Sequence, residues 1–343
     1  MLIQQHVGLD VHKKTIYAVV VDNDGKIIIE EEMQTEPHII KRFMLQIDKN
    51  ANIALESCIC WEHVFDYLVD MGFENVHLAN PSRVGLIAQS KKKTDKHDAE
   101  ILANLVRTNM LPLSYAPTHE IRNQRRITRF RTSLAELETI IKNKIHAILL
   151  RNGIKSPFEN IFTNQGIAFL RSIDFDWADR IQIDEYILTI LHFELQKKKA
   201  EKVIEEYSIT NPHMRLLKSM PGIGDLSALI IVGEIGDISR FSDSKKLTSF
   251  AGLNPSVSQS GDRCYTGHIS KRGNAHLRRI LNQCANIAVM HDSTLAKIYH
   301  RIKKRRGHKV AITAISRKML CYIFTMLINN IKYQQLQVHK KAS

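Results

Sequence analysis

This sequence of 343 residues predicts an α/β amino-terminal domain, then a long helical hairpin, then a mostly α carboxy-terminal domain. Short β-branched runs with period-two alternation lie before about Pro112. From Ile121 onward apolar residues recur at three- and four-residue spacing instead. Charge changes at the same place. Residues 1–118 carry 12 Lys+Arg against 16 Asp+Glu, whereas residues 119–343 carry 37 against 19. The expected divisions are 1–118, 119–210 and 211–335, with a tail at 336–343.

In His6 to His12, Val7, Leu9 and Val11 alternate with Gly8, Asp10 and His12, as a strand requires. Thr15 to Val21 is a second strand, Asp22-Asn23-Asp24-Gly25 a turn, and Lys26 to Glu32 a third strand. A helix follows from about Glu36, with Pro37 in its first turn and Ile39, Ile40, Phe43 and Met44 on one face. Asn52 to Glu56 and Val76 to Ala79 are short strands around a helix marked by Trp61, Val64, Phe65 and Leu68. A polar stretch with Lys91-Lys92-Lys93 leads to a helix beginning near Thr94. Strands followed by alternating helices and strands make a mixed α/β domain.

Helical periodicity then covers Ile121 to Arg151 through Phe130, Leu134, Leu137, Ile141, Ile145 and Ile148, and Asp184 to Tyr207 through Ile187, Leu191, Leu195 and Ile204. Such a coiled-coil-like hairpin bridges domains, carries a dimer seam or packs on the first domain. Further on, Pro221-Gly222-Ile223-Gly224 divides two apolar segments, and Gly252 to Gly273 is loop-rich. Helices are expected at about Asn274–Val289 and Lys309–Ile331.

Hydrophobic content of 44% and charged content of 24% belong to a folded globular chain. Apolar runs such as Met319 to Ile328 are shorter than a bilayer span, and no charged-then-apolar leader precedes the first strand. Five irregularly spaced cysteines fit a reducing, cytoplasmic setting, and Cys58 and Cys60 lack a second pair for zinc. The net charge of +14 resides in the second part of the chain, which places the polyanion-binding surface there.

Four carboxylates stand out. Asp10 interrupts an apolar strand, Glu56 ends another, and Asp95 and Asp98 share one helix face. Taken singly each has an ordinary explanation, as an exposed strand acid or as acids near a helix N-terminus. Together they can converge at the carboxyl ends of the strands, where α/β sheets bind ligands. Clustered carboxylates suit a hard divalent ion, Mg²⁺ or alternatively Mn²⁺, of the kind that assists phosphodiester chemistry.

The segments His6-Val7-Gly8-Leu9-Asp10-Val11-His12-Lys13, Ala54-Leu55-Glu56-Ser57 and Lys93-Thr94-Asp95-Lys96-His97-Asp98-Ala99 resemble the acidic motifs of the DEDD transposases. These are recombinases of the insertion-sequence one-ten family, related to Piv-type DNA invertases. Met220-Pro221-Gly222-Ile223-Gly224, Phe250-Ala251-Gly252-Leu253-Asn254-Pro255, Ser260-Gly261 and His268-Ile269-Ser270-Lys271-Arg272-Gly273-Asn274 resemble its later motifs in the same order. One departure is Ser57-Cys58-Ile59-Cys60-Trp61, which is poorer in glycine than that pattern. The resemblance implies an RNase H-like (RuvC-like) first domain whose four acids bind Mg²⁺. It also implies a serine nucleophile, carried here to Ser260, with Ser258 and Ser270 as neighbouring competitors. Donor and target DNA, a structured guide (bridge) RNA and a homo-oligomer, dimer or tetramer, are the partners it implies.

For nucleic-acid contact, Gly222 and Gly224 resemble the turn of a helix-hairpin-helix element, whose backbone N–H groups face a phosphate. Arg122, Arg125, Arg126 and Arg129 crowd one helix start. Arg263, Lys271, Arg272, Arg278 and Arg279 follow Ser260, and Lys303 to Arg306 form another cluster. An aromatic content of 7% argues for backbone and shape contacts over base stacking. Rival functions are a metal-dependent junction nuclease that uses water, and a non-catalytic nucleic-acid-binding regulator with no need of the acids.

Overall fold

The computed structural model describes residues 4–87, 94–260 and 263–336, of which 257–260 and 263–266 by backbone alone. The chain divides into two compact units, Met1–Ala116 and Pro117–Ser343.

In the first unit, β1 (His6–Val11), β2 (Thr15–Val21) and β3 (Ile27–Gln34) form an antiparallel meander. Its second turn closes as its sequence requires: Gly25 takes φ +85°, and the Asp22 carboxylate accepts from the N–H groups of Asp24 and Lys26. Helix α1 (Pro37–Met44) follows, with proline in its first turn. After it come β4 (Asn52–Glu56), α2 (Trp61–Asp70), β5 (Val76–Ala79), α3 (Pro81–Ile87) and α4 (Asp95–Arg107). The five strands lie in the order β3-β2-β1-β4-β5, with β4 and β5 parallel to β1.

Both faces of this sheet are covered. Val7, Leu9, Val11 and Ile16 pack with Phe43, Met44, Val64 and Leu68 of α1 and α2 on one side. Val19, Val21, Ala99 and Ala103 meet on the other, under α4. Consequently all six residues of β1 are buried, Asp10 among them. The alternation in β1 separates two packed faces, so Asp10 is not an ordinary exposed strand acid.

The second unit starts with α5 (His119–Arg151), α6 (Asn164–Ser172) and α7 (Trp177–Thr210). Arg131 pairs with Glu201, Glu138 with Lys197 and Arg151 with Asp179. Partner numbers fall as α5 advances, so the two long helices run antiparallel. Ile145, Ile148, Ile183, Ile187 and Ile190 are buried at the closed end of the hairpin. Phe130, Leu137, Leu191 and Leu195, which share the expected apolar stripe, stay exposed. Helix α6 was not expected from periodicity; Thr163 caps it by accepting from Gly166 N–H.

Next come α8 (Pro212–Leu217), α9 (Asp225–Ile235), a short 3₁₀ turn at Ile238–Arg240, and α10 (Ser244–Phe250). An antiparallel hairpin, β6 (Pro255–Ser260) and β7 (Arg263–Ile269), occupies the segment read from sequence as loop. The unit ends with α11 (Ala275–His291), α12 (Ser293–Arg306) and α13 (His308–Asn329). One core joins Ile204 of α7 to Leu229, Ile231, Leu281, Ile315, Met319 and Ile323. Helix α13 is long and apolar enough to cross a bilayer, where the sequence had suggested only shorter runs, and 56% of its apolar window is buried within this core.

A carboxylate cluster on the first unit and a basic surface on the second

Asp10 sits one residue from the end of β1. The parallel β1–β4 register pairs Leu9 with Leu55, so the next positions, Asp10 and Glu56, adjoin at the carboxyl ends of neighbouring strands. Gly8, two residues before Asp10, shares its face. A Cβ built on Gly8 would lie 1.9 Å from the Ala99 carbonyl oxygen and 2.6 Å from the Ala103 nitrogen. Helix α4 therefore crosses β1 at backbone contact, which only glycine permits. Thr94 caps this helix by accepting from His97 N–H, and Asp95 and Asp98 lie in its first turn, where the helix dipole favours acids.

The result is a small, tightly built cluster. His12 Nε2 lies 3.2 Å from Asp10 Oδ2 and 3.5 Å from Asp95 Oδ1. Asp10, His12 and Asp95 each offer one donor atom, all within 4.8 Å of one another. Burial pushes the Asp10 carboxyl above its ordinary pKa; His12 opposes this rise, and the Asp95 and Asp98 charges reinforce it. Glu56 and Asp98 are not among the three closest donors, although Asp98 acts on Asp10 electrostatically and Glu56 adjoins it in register. The donor set fits a divalent ion, because a carboxyl raised in pKa by burial, and further by like-charged neighbours, gains most from a cation.

His12 was missed as a site residue. Its signal was present: in the alternation of β1 it follows Gly8 and Asp10 on the same side. Cys58 and Cys60, set aside as zinc ligands, are free thiols, and the Cys58 Sγ donates to the Val11 carbonyl.

On the second unit several expected phosphate contacts need correction. Arg122 is 5% exposed, within the packed base of α5. Arg125 donates to the Gly233 and Glu234 carbonyls at 2.7 and 3.1 Å. Arg129 forms two 3.0 Å hydrogen bonds to the Glu234 carboxylate, which is 1% exposed and also accepts from Asn274 Nδ2 at 2.7 Å. Arg125 and Arg129 thus fasten α5 to α9, whose Glu234 also holds Asn274 at the start of α11, and with Arg122 buried the four do not form an open arginine row. Arg126 is exposed and donates to the Asn123 side chain.

The glycine turn is internal only at its first glycine. Gly222 has φ +87°, and a Cβ there would come within 2.4 Å of the Cys284 carbonyl oxygen on α11. The N–H of Ile223 donates to Met220, and that of Gly224 donates to Ser227 Oγ at 2.8 Å. Gly222 therefore packs against α11, whereas Gly224, the cap residue of α9, is exposed with open space at its Cβ position, and the N–H groups of Ile223 and Gly224 are already used. Arg278 donates to the Ala251 carbonyl, and Arg279 pairs with Glu136.

Lys271 and Arg272 remain exposed, at the foot of the β6–β7 hairpin, Lys271 with φ +53°. Lys304, Arg305 and Arg306, at the end of α12, are exposed with no described acid paired to them. These two groups present open positive charge. Ser260 is the last residue of β6, and its backbone pairs with Arg263 across the hairpin tip. The side chains of Ser258, Ser260 and Arg263 lie outside the described residues. Ser270 sits at the opposite end, its N–H bonded to the Asn254 carbonyl.

Known proteins match in the same two places. A DEDD-type transposase model of the IS110 group matches residues 7–152, and the transposase IS116/IS110/IS902 family model matches residues 214–300. The transposase for insertion sequence element IS1111A from Coxiella burnetii is 24% identical over 338 residues, 96% of this chain and 91% of that protein. A putative transposase of Sinorhizobium fredii is 26% identical, across 81% of this chain and 70% of its own length. The pilin gene-inverting protein of Moraxella lacunata is 24% identical, across 98% and 99%. With both models matched in order along one chain, this protein belongs to the IS110/IS116 family of DNA transposases.

Proposed function

We propose that this transposase cuts and rejoins DNA through a serine–phosphate linkage, assisted by a divalent ion held on the first unit. The observation that carries the metal half is Asp10, buried in the central strand beside His12 and Asp95 and within the field of Asp98. The strand order, with β2 antiparallel to its neighbours and acids at the ends of β1 and β4, supports an RNase H-like (RuvC-like) assignment.

Asp10, Glu56, Asp95 and Asp98 would hold Mg²⁺ or Mn²⁺, which supplies charge stabilisation at phosphoryl oxygens. The Ser260 hydroxyl attacks phosphorus, forms a serine–phosphate ester and releases a sugar hydroxyl that takes up the proton. Because the ester retains the phosphodiester bond energy, a second DNA hydroxyl reverses the step on a new strand without ATP. Lys271, Arg272 and the end of α12 present the charge that holds DNA or RNA by its backbone.

Two further parts of the proposal follow from the family. A structured guide RNA selects the target, and the working unit is a homo-oligomer acting on DNA in the cytoplasm. Exposed Leu137, Ile140, Leu188, Leu191 and Leu195 on α5 and α7 are compatible with a partner copy.

A suicide DNA substrate tests the mechanism. The expected result is a covalent protein–DNA adduct that requires a divalent ion, Mg²⁺ or Mn²⁺, and is lost in Ser260→Ala. Cleavage by Ser260→Ala at the wild-type rate points to the water-using nuclease instead. Binding that survives loss of all four acids, with no cleavage in any condition, points to the regulator. Recombination by protein stripped of all RNA removes the guide.

A further inference from the structure

We propose that His12 is a direct nitrogen ligand of the ion, so that this site selects manganese-class ions over magnesium. The inference rests on the metal site proposed above and adds to it a ligand outside the four acids.

The warrant is spacing. An ion with bonds near 2.1 Å sets neighbouring ligand atoms about 3.0–3.5 Å apart, whether octahedral or tetrahedral. His12 Nε2 already stands 3.2 Å from Asp10 Oδ2 and 3.5 Å from Asp95 Oδ1. The three donor atoms all lie within 4.8 Å of one another, close enough to converge on one ion, and His12 belongs to the tight turn after β1, where its N–H donates to the Thr15 carbonyl at 2.8 Å. The ring is half exposed, so it faces the ion site without closing it to phosphate. Glu56 adjoins Asp10 in register, and Asp98 acts on it electrostatically.

Chemistry then sets the preference. Mg²⁺ takes oxygen ligands and keeps its waters, and it gains little from imidazole. Mn²⁺ and later first-row ions accept imidazole nitrogen beside carboxylates, with affinity rising along the series. A 2-carboxylate, 1-imidazole core with further acids at its edge therefore binds Mn²⁺ more tightly than Mg²⁺.

The experiment uses the full chain and Mn²⁺ alone, without DNA. Pulsed electron paramagnetic resonance on the wild type should show nitrogen modulation from directly bound imidazole, and this signal should vanish in His12→Gln. By calorimetry, His12→Gln should weaken Mn²⁺ binding roughly tenfold or more while changing Mg²⁺ binding much less. Mn²⁺ bound in an Asp10-dependent manner, but with no nitrogen modulation in the wild type, overturns the role of His12 and leaves the carboxylate site standing. A wild-type chain that binds neither ion overturns the metal site itself, and this inference with it.

Discussion

Asp10 and Glu234 are both buried carboxylates, one in each unit, and their surroundings are opposite. Glu234 meets Arg129 through two hydrogen bonds, Arg125 at 3.7 Å and the Asn274 amide. Asp10 meets a half-exposed histidine and the like charges of Asp95 and Asp98. A buried acid matched by arginine is finished as structure, because its charge is neutralised inside the fold. A buried acid crowded by other acids is left electrostatically incomplete, the imbalance that a cation from outside would relieve. The contrast separates a clamp from a candidate site more sharply than burial alone.

The largest expected effect is on chemistry. Asp10→Asn should lower DNA cleavage by on the order of 10³-fold or more, measured on a suicide substrate, with no loss of thermal stability. The sign follows from the raised pKa of Asp10. The fold binds that proton more tightly than the unfolded chain does, so stability falls as pH rises from the unfolded value of 3.8 through the higher folded value. Above the folded pKa the ion-free protein carries that penalty, and asparagine removes it. An ion-free Asp10→Asn protein that melts well below the wild type at pH 7 breaks the contrast with Glu234.

Glu234→Ala should do the reverse, costing about 3 kcal/mol of stability by stranding Arg125 and Arg129. Denaturant titration measures it, and a cost below about 1 kcal/mol would mean that the clamp is ornamental. Gly8→Ala comes next. Its Cβ collides with the Ala99 carbonyl, so α4 must shift, at about 1–3 kcal/mol. Asp95 and Asp98 would then move from Asp10, and Mn²⁺ affinity should fall along with stability. Unchanged affinity in a folded Gly8→Ala protein means that the acids of α4 do not contribute.

The smallest effect sharpens the same distinction among the basic residues. Lys271→Ala and Arg272→Ala should each reduce the salt dependence of DNA binding by a slope of about 1 without altering the melting temperature. Arg125→Ala, in contrast, should lower the melting temperature. If Arg125→Ala changes the salt slope and leaves stability intact, it belongs with the open surface after all.

Much of the first unit was legible because its signals are local. Strand alternation marked β1, the Asp22–Gly25 turn obeyed its own side chains, and the spacing of Asp95 and Asp98 put them on one helix turn. Helix α12 escaped notice because only Leu295 and Tyr299 of its 14 residues are buried, too few to give a period. The β6–β7 hairpin escaped for a related reason, being short, polar and glycine-containing. The role of Gly8 was invisible from β1 alone, because the atom it makes room for belongs to Ala99. Arg129 looked like a phosphate ligand because its true partner, Glu234, is 105 residues away.

The amino-acid sequence by itself determined the order of the motifs, the identity of the four acids and the division of charge at residue 118. Each of these is a property of residue type and of near-neighbour spacing, readable without coordinates. Only the tertiary structure decided which charges are matched. It set His12 between Asp10 and Asp95, turned Arg125 and Arg129 inward onto Glu234, and left Lys271, Arg272 and the end of α12 open. The physical reason is that the cost of a buried charge depends on what lies within a few ångströms of it, and long-range packing alone supplies those neighbours.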